Sequence, residues 1–247
     1  MTLPPLSPPQ EVGGPDGYSY GAVYVSSDDR PSVGDALRTI GFSGWIAPPQ
    51  DGWIVAVGDP GAGITASAGR GIVEVGAHLA SSFTPVLAVR VRIDRQLGVV
   101  AWQAGDEMIR YSSDPSQEPD ADKEVMTEPV GEEGAEALAS ALERPDAAEA
   151  LAELLGEELD TDSVYESERL RSVLRMLGLP EWVIAAESLP RSVPGGPSRA
   201  EFICLRAGRE GFAGWLMSRF TRRSRPAPPI IADPPRQHLS GWELGLY

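Results

Sequence analysis

Val86-Leu87-Ala88-Val89-Arg90-Val91-Arg92-Ile93 places Leu87, Val89, Val91 and Ile93 on one face and Arg90 and Arg92 on the other. That period of two predicts a strand with one buried side. Asp94-Arg95-Gln96 is a polar break suited to a hairpin loop, and Leu97 to Gln103 follows with Val99, Val100 and Trp102, residue types that suit a pleated surface. Ala104-Gly105-Asp106-Glu107 supplies a second turn, and Ile109 and Tyr111 share a face of a third strand, Met108 to Tyr111. A three-stranded meander with one apolar face needs a cover. The expected cover is the helix just before it, about 71–83, whose Ile72, Val75, Gly76, Leu79 and Phe83 recur at helical spacing. Arg90, Arg92 and Arg110 are then expected on a solvent-facing surface, with an anion or acidic partner as the other reading.

Upstream, Tyr18 to Val25 reads as a strand. Ser32-Val33-Gly34-Asp35 resembles a capping box that opens a helix with Val33, Ala36, Leu37 and Ile40 on one stripe and Gly41 at its end. Trp45-Ile46-Ala47 and Trp53 to Val57 flank a turn, and 58–69 is a loop of small residues. The order β-α-β-β-α-β-β-β argues for an α+β fold: a mixed or antiparallel sheet with two helices on one face, plus a helical C-terminal extension.

Of the 21 basic residues only Lys123 is a lysine, and with abundant Ala, Gly and Pro the composition resembles that of GC-rich bacterial proteins. The net charge of −15 is unevenly spread: −5 over 1–117, −16 over 118–168 and +6 over 169–247. An excess of that sign argues against nucleic acid or anionic lipid as a partner. One cysteine, Cys204, rules out an intrachain disulfide. No leader-like start and no apolar run of membrane-spanning length are present, so the expected location is cytoplasmic.

Residues 1–17, with Pro4, Pro5, Pro8, Pro9 and Pro15, read as a flexible arm before a sheet domain over 18–112. The aperiodic, acidic stretch 113–131 reads as a linker. A mainly helical domain is expected over 132–225, with stripes at Ala135/Leu138/Ala139/Leu142, Ala148/Leu151/Leu154/Leu155 and Leu170/Val173/Leu174/Leu177. Gly178-Leu179-Pro180 suits the end of the third, a fourth short helix is expected over 181–188, and 200–205 fits either helix or strand. Residues 226–247 form a proline-rich tail with an apolar terminus.

Several chemistries find only fragments. Gly58-Asp59-Pro60-Gly61-Ala62-Gly63-Ile64-Thr65 has the glycines and threonine of a phosphate loop but Ile64 at the lysine position. Gly41-Phe42-Ser43-Gly44-Trp45 approaches a nucleophile elbow but ends in Trp45. His78 is read as an exposed pair with Glu74, and His238 lies in the tail. Asp120-Ala121-Asp122 and Asp160-Thr161-Asp162 start like calcium loops without the later glycine and glutamate. No catalytic, cofactor or metal residues are therefore assigned. A second reading, a hydrolase or other enzyme that uses acidic residues, stays open.

The stretch from Gly52-Trp53 through the helix and meander to Tyr111-Ser112-Ser113-Asp114-Pro115 resembles small actinobacterial α+β domains of unknown function, some suspected of immunity or accessory roles. The resemblance implies the strand–helix–meander topology and transfers no catalytic residue. Two features point to a protein partner or self-association. Trp242, Leu244, Leu246 and Tyr247 close the chain after a stiff proline segment, which suits docking as an added strand on another subunit or a partner, with folding back onto the chain's own domain as the other reading. Arg219, Arg222, Arg223 and Arg225 form a basic cluster complementary to the acidic middle. The expected function is a non-catalytic binding or assembly protein that docks through this tail and the sheet domain.

Overall fold

The computed structural model describes residues 18–158, 165–189, 191–211, 214 and 226–236. Seven strands form one sheet in the order β6-β5-β4-β1-β3-β2-β7. They are β1 (Tyr20–Ser26), β2 (Gly44–Ile46), β3 (Trp53–Gly58), β4 (Val86–Arg92), β5 (Gln96–Gln103), β6 (Asp106–Ser112) and β7 (Ile203–Leu205). Every pairing is antiparallel, and the meander β4-β5-β6 forms as the sequence predicts. The second hairpin is tighter than expected. Ala104 and Gly105 both take positive φ, 53° and 89°, so Gln103 already pairs with Asp106 and β6 starts two residues early.

Two helices, α1 (Arg30–Thr39) and α2 (Ile72–Ala80), lie on the front of this sheet. The cap of α1 is Asp29, whose Oδ1 accepts from the Ser32 amide at 3.1 Å, and not Ser32 itself. At α2 the Glu74 carboxylate accepts from Gly71 N at 2.8 Å, so it closes the first turn instead of pairing with His78.

The meander is not covered as its alternation suggests. Helix α2 packs on Ala88, Val100 and Trp102, the face that carries Arg90. A Cβ at Gly76 would stand 2.7 Å from the Trp102 ring and 3.0 Å from the Ala88 methyl, so only glycine lets the helix sit this close. The opposite face, with Leu87, Val89, Val91, Leu97 and Val99, is covered by the later helices α3 (Ala135–Ala141), α4 (Ala148–Gly156) and α5 (Glu166–Met176) and a 3-10 helix, Glu181–Ser188. The result is helix, sheet, helix in three layers.

That back layer corrects the expected domain division. Leu138, Leu151, Leu155, Leu170, Val173 and Leu174 share one buried cluster with Tyr20, Tyr24, Val55 and Val89 of the sheet. A separate domain would need its own closed core. Two tyrosines bolt the layers together: Tyr24 Oη donates to Pro180 O at 2.9 Å and Tyr111 Oη to Leu155 O at 2.9 Å. Strand β7 continues the sheet after the helices by pairing with β2. Both readings of 200–205 are realised in turn: a 3-10 turn at Arg199–Glu201 capped by Ser198, then β7. Helix α5 stops ahead of Gly178, which takes φ +69°, and Leu179 N donates back to Leu174 O at 2.8 Å.

A buried polar knot fixes the start of α5. Asp94 accepts from Ser167 N through Oδ1 at 2.7 Å and, through its main-chain oxygen, from Glu166 N at 3.2 Å. Arg169 donates to Tyr111 Oη and to Glu157 O, both at 2.5 Å, and lies 3.5 Å from Glu166. Burial pushes the Glu166 carboxyl above its ordinary value, against the pull of Arg169 and Ser113, while Asp94 and Asp114 add to the rise. Folding therefore takes up a proton here. Stability from this group is full below the unfolded value of 4.5 and is lost as pH climbs through the folded one. As pH rises above 4.5 the melting temperature of the wild type should fall relative to Glu166→Gln, which cannot ionise. A difference that stays flat across a series of melts would contradict this.

The shared core gives a second expectation. Leu138→Ala should cost about 2–5 kcal/mol of the stability of the whole molecule. Helix circular dichroism and amide exchange in β4 and β5 should then report one shifted transition. Unfolding of the helices with the sheet left protected would restore the two-domain division.

Candidate peptide-docking face of the sheet

On the front, beside α2, the lower ends of β4 and β5 and the body of β6 present Arg90, Arg92, Gly98 and Arg110. Arg90 and Gly98 are cross-strand partners. Of the three arginines, Arg90 departs fully from the solvent-facing position that the strand period suggested, Arg92 is half-buried, and Arg110 keeps 37% of its side chain exposed. Arg90 is buried and donates through Nη2 to Glu118 Oε2 at 2.5 Å, with side chains only 2% and 2% exposed. Arg92 donates to Gln117 O. The expected linker is thereby laid along the sheet: Ser113 and Asp114 are buried beside it, and Ser112 and Val130 exchange main-chain bonds at 3.0 Å. Arginine is the physical reason, because a guanidinium inside the protein needs an acceptor, and Glu118 and the carbonyl of Gln117 supply them. Burial draws the Arg90 guanidinium below its ordinary value and Glu118 opposes this, yet an arginine keeps its charge.

The remaining donors of this face hold a proline-rich strap, residues 226–236. Arg90 Nη1 donates to Pro228 O at 2.7 Å, and Arg110 Nη1 to Ile230 O at 2.8 Å. Ala227 and Ile230 are buried while Pro228 and Pro229 are exposed. Ala227 and Ile230 stand three residues apart, one repeat of the polyproline II helix, whose carbonyls are free of internal bonds. Two glycines make the seats. A Cβ at Gly98 would lie 1.7 Å from Ile230 Cδ1, and one at Gly71 would lie 2.7 Å from the Ala227 methyl. At the far end Met126 N donates to Pro235 O at 2.9 Å, and Arg236 reaches Asp122 at 3.2 Å and Glu124 at 3.7 Å. The basic end of the chain thus meets the acidic middle through Arg236. The sequence residues assigned to partner binding, Trp242, Leu244, Leu246, Tyr247, Arg219, Arg222, Arg223 and Arg225, lie outside the described residues.

The catalytic fragments are not assembled among the described residues. Ser43 Oγ accepts from Ala207 N at 2.9 Å, and His78 Nε2 lies 3.4 Å from Thr39 Oγ1, with no hydrogen bond joining Ser43 to His78. The phosphate-loop-like stretch packs backbone to backbone on β1: a Cβ at Gly61 would lie 2.4 Å from Gly21 N. Burial raises the Cys204 thiol, which lowers its nucleophilic fraction. An open depression of about 600 Å³ lies on the back layer by Gln50, Leu179, Pro180, Trp182 and Pro194. Two of its polar side chains are already engaged: Trp182 Nε1 donates to Gln50 Oε1 at 3.2 Å, and Glu181 pairs with Arg175 at 3.0 Å. Among the described residues no helix is long and apolar enough to cross a membrane, and no three His, Cys, Asp or Glu side chains gather in a metal-binding group.

Comparison with known proteins finds no matching family model, no similar curated protein and no similar solved structure.

The sequence held two signals for this face. Arg90 shares its side of the strand with Val86 and Ala88, and Gly98 interrupts an otherwise bulky strand. Breaking the buried pair should be expensive and removing it whole should not. Arg90→Met or Glu118→Leu alone should cost about 3–5 kcal/mol, because each strands a buried charge, whereas the double variant should recover most of that loss. Additive losses in denaturant titrations would show that the two residues are not coupled.

Proposed function

We propose that the chain is a non-catalytic binding or assembly protein that acts in the cytoplasm and docks to a protein partner through its C-terminal tail and the front of the sheet. The observation that supports this reading is the seating of residues 227–230. An extended segment is gripped by arginine-to-carbonyl bonds and two glycine-made seats, the physics of peptide recognition and not of bond cleavage. The strap also sets where the last residues begin. Arg236 is tied to Asp122, Glu124 and the main chain of 125–126, so the apolar pattern Trp242, Leu244, Leu246, Tyr247 starts from an anchored point. Leaving such side chains in water forgoes about 1.5–3 kcal/mol each, and a strand-like alternation suits addition to a partner's sheet edge. The net charge of −15 supports a protein partner over nucleic acid.

Deletion of 238–247 tests this. Assembly, read by sedimentation velocity, should be lost while the melting temperature stays where it was. A lowered melting temperature with assembly intact would assign the tail to the chain's own fold and overturn the proposal.

A further inference from the structure

The strap is bound in the manner of a ligand. It adds no strand to the sheet among the described residues, and its contacts with the groove are side chain to carbonyl or apolar seat. Its one bridge upstream, Pro226 with Gly63, is isolated. The groove, in contrast, is built by the sheet and α2: Arg90 from β4, Gly98 from β5, Arg110 from β6 and Gly71 at the head of α2. Arg90 is already held by Glu118 and Arg110 by Glu107 at 2.8 Å, so both forks are oriented whether or not the strap is seated. The groove is therefore preorganised for one extended segment.

We infer that this groove is an exchange site for a second copy of the chain: residues 226–231 of one molecule can occupy the groove on the sheet of another. Chemistry selects this occupant. The seat at Gly71 has room for the Ala227 methyl, the seat at Gly98 takes Ile230, and the spacing of three between them matches Ala227-Pro228-Pro229-Ile230. The arm sequence Leu3-Pro4-Pro5-Leu6 has the same prolines but puts a leucine where the first seat admits a methyl. A second copy reproduces every contact, because the groove and strap are the same residues. The covalent tie between strap and sheet decides between the two arrangements. A segment joined covalently to its own seat competes at an effective concentration on the order of millimolar, so exchange is suppressed at ordinary concentrations and emerges when the internal seat is blocked.

The inference rests on the front of the sheet being a binding face, as proposed above, but not on residues 238–247. Its test uses two full-length variants. Gly98→Val fills the seat of Ile230 and leaves the strap intact; Ile230→Asp spoils the strap and leaves the groove intact. Each alone should keep its own sedimentation behaviour. A 1:1 mixture at about 100 µM, below the millimolar range that favours the internal strap, should gain a species of twice the mass, absent from either alone. Association through the tail would instead appear in each variant by itself, so the two readings fail separately. A mixture that sediments as the sum of its parts, with both variants melting cooperatively, would overturn the inference. Should Ile230→Asp not fold, Ile230→Ala, which empties the seat without burying a charge, takes its place, and the same two outcomes decide.

Discussion

A strand buried on both faces cannot stay unaccompanied, and β4 is buried along its first six residues. Much else in the molecule follows from supplying it with two covers. Helix α2 and the strap cover the front, and α3, α4 and α5 cover the back. A chain that ended at β6 would leave Leu87, Val89, Val91, Leu97 and Val99 facing water, which is why the helical part is no optional extension. Arg90 is a charged residue buried in the front layer, and its charge requires Glu118. A piece of chain with no regular structure is thereby fixed in place.

Alternation made the strands legible and misplaced their covers. The pattern of Val86–Ile93 weighs Arg90 and Arg92 as polar, yet Val86 and Ala88 on that same side are as buried as Leu87 and Val89. A two-sided burial reads as a near-continuous apolar run, and that was visible once Val100 and Trp102 of the next strand are added to the same face. The helices were legible as stripes because each buries one side. The face each one meets was not, because an apolar stripe states only that something covers it. The stretch 113–131 shows the same limit more sharply. Local periodicity is absent there since its cohesion is long-range, through Glu118, Gln117 and Val130, and nothing within nineteen or so residues encodes the arginine that waits on β4.

Of the strap, the sequence offered the stiff proline segment and the complementary charges, but not the residues that seat it. The anchoring residues are Ala227 and Ile230, three apart. That period belongs to neither strand nor helix, so a search for spacing of two or 3.6 passes over it. Proline also explains why the strap lies across the sheet and does not extend it. Pro228 and Pro229 have no amide proton to give a ladder, so the segment is held by what the sheet donates to its carbonyls.

The scarcity of lysine acquires a structural sense in this light. A codon bias is enough to explain arginine on a surface, but the arginines at the joints use a property lysine lacks. Arg90 joins Glu118 to Pro228 O, Arg110 joins Glu107 to Ile230 O, Arg30 joins Ile46 O to Glu201 O, and Arg169 joins Tyr111 Oη to Glu157 O. In each case one planar fork binds two acceptors that are remote in sequence, with its donors fixed relative to one another. An ammonium group could satisfy either acceptor but would not fix the angle between them. These forks stand where irregular segments meet the sheet or the helical layer, at 118, 157, 201 and 228–230. The regular elements are held by apolar burial, which is tolerant of small shifts; the irregular ones have little to bury and depend on directional bonds. The segments that carry the proposed binding chemistry are therefore those whose position is set by arginine geometry.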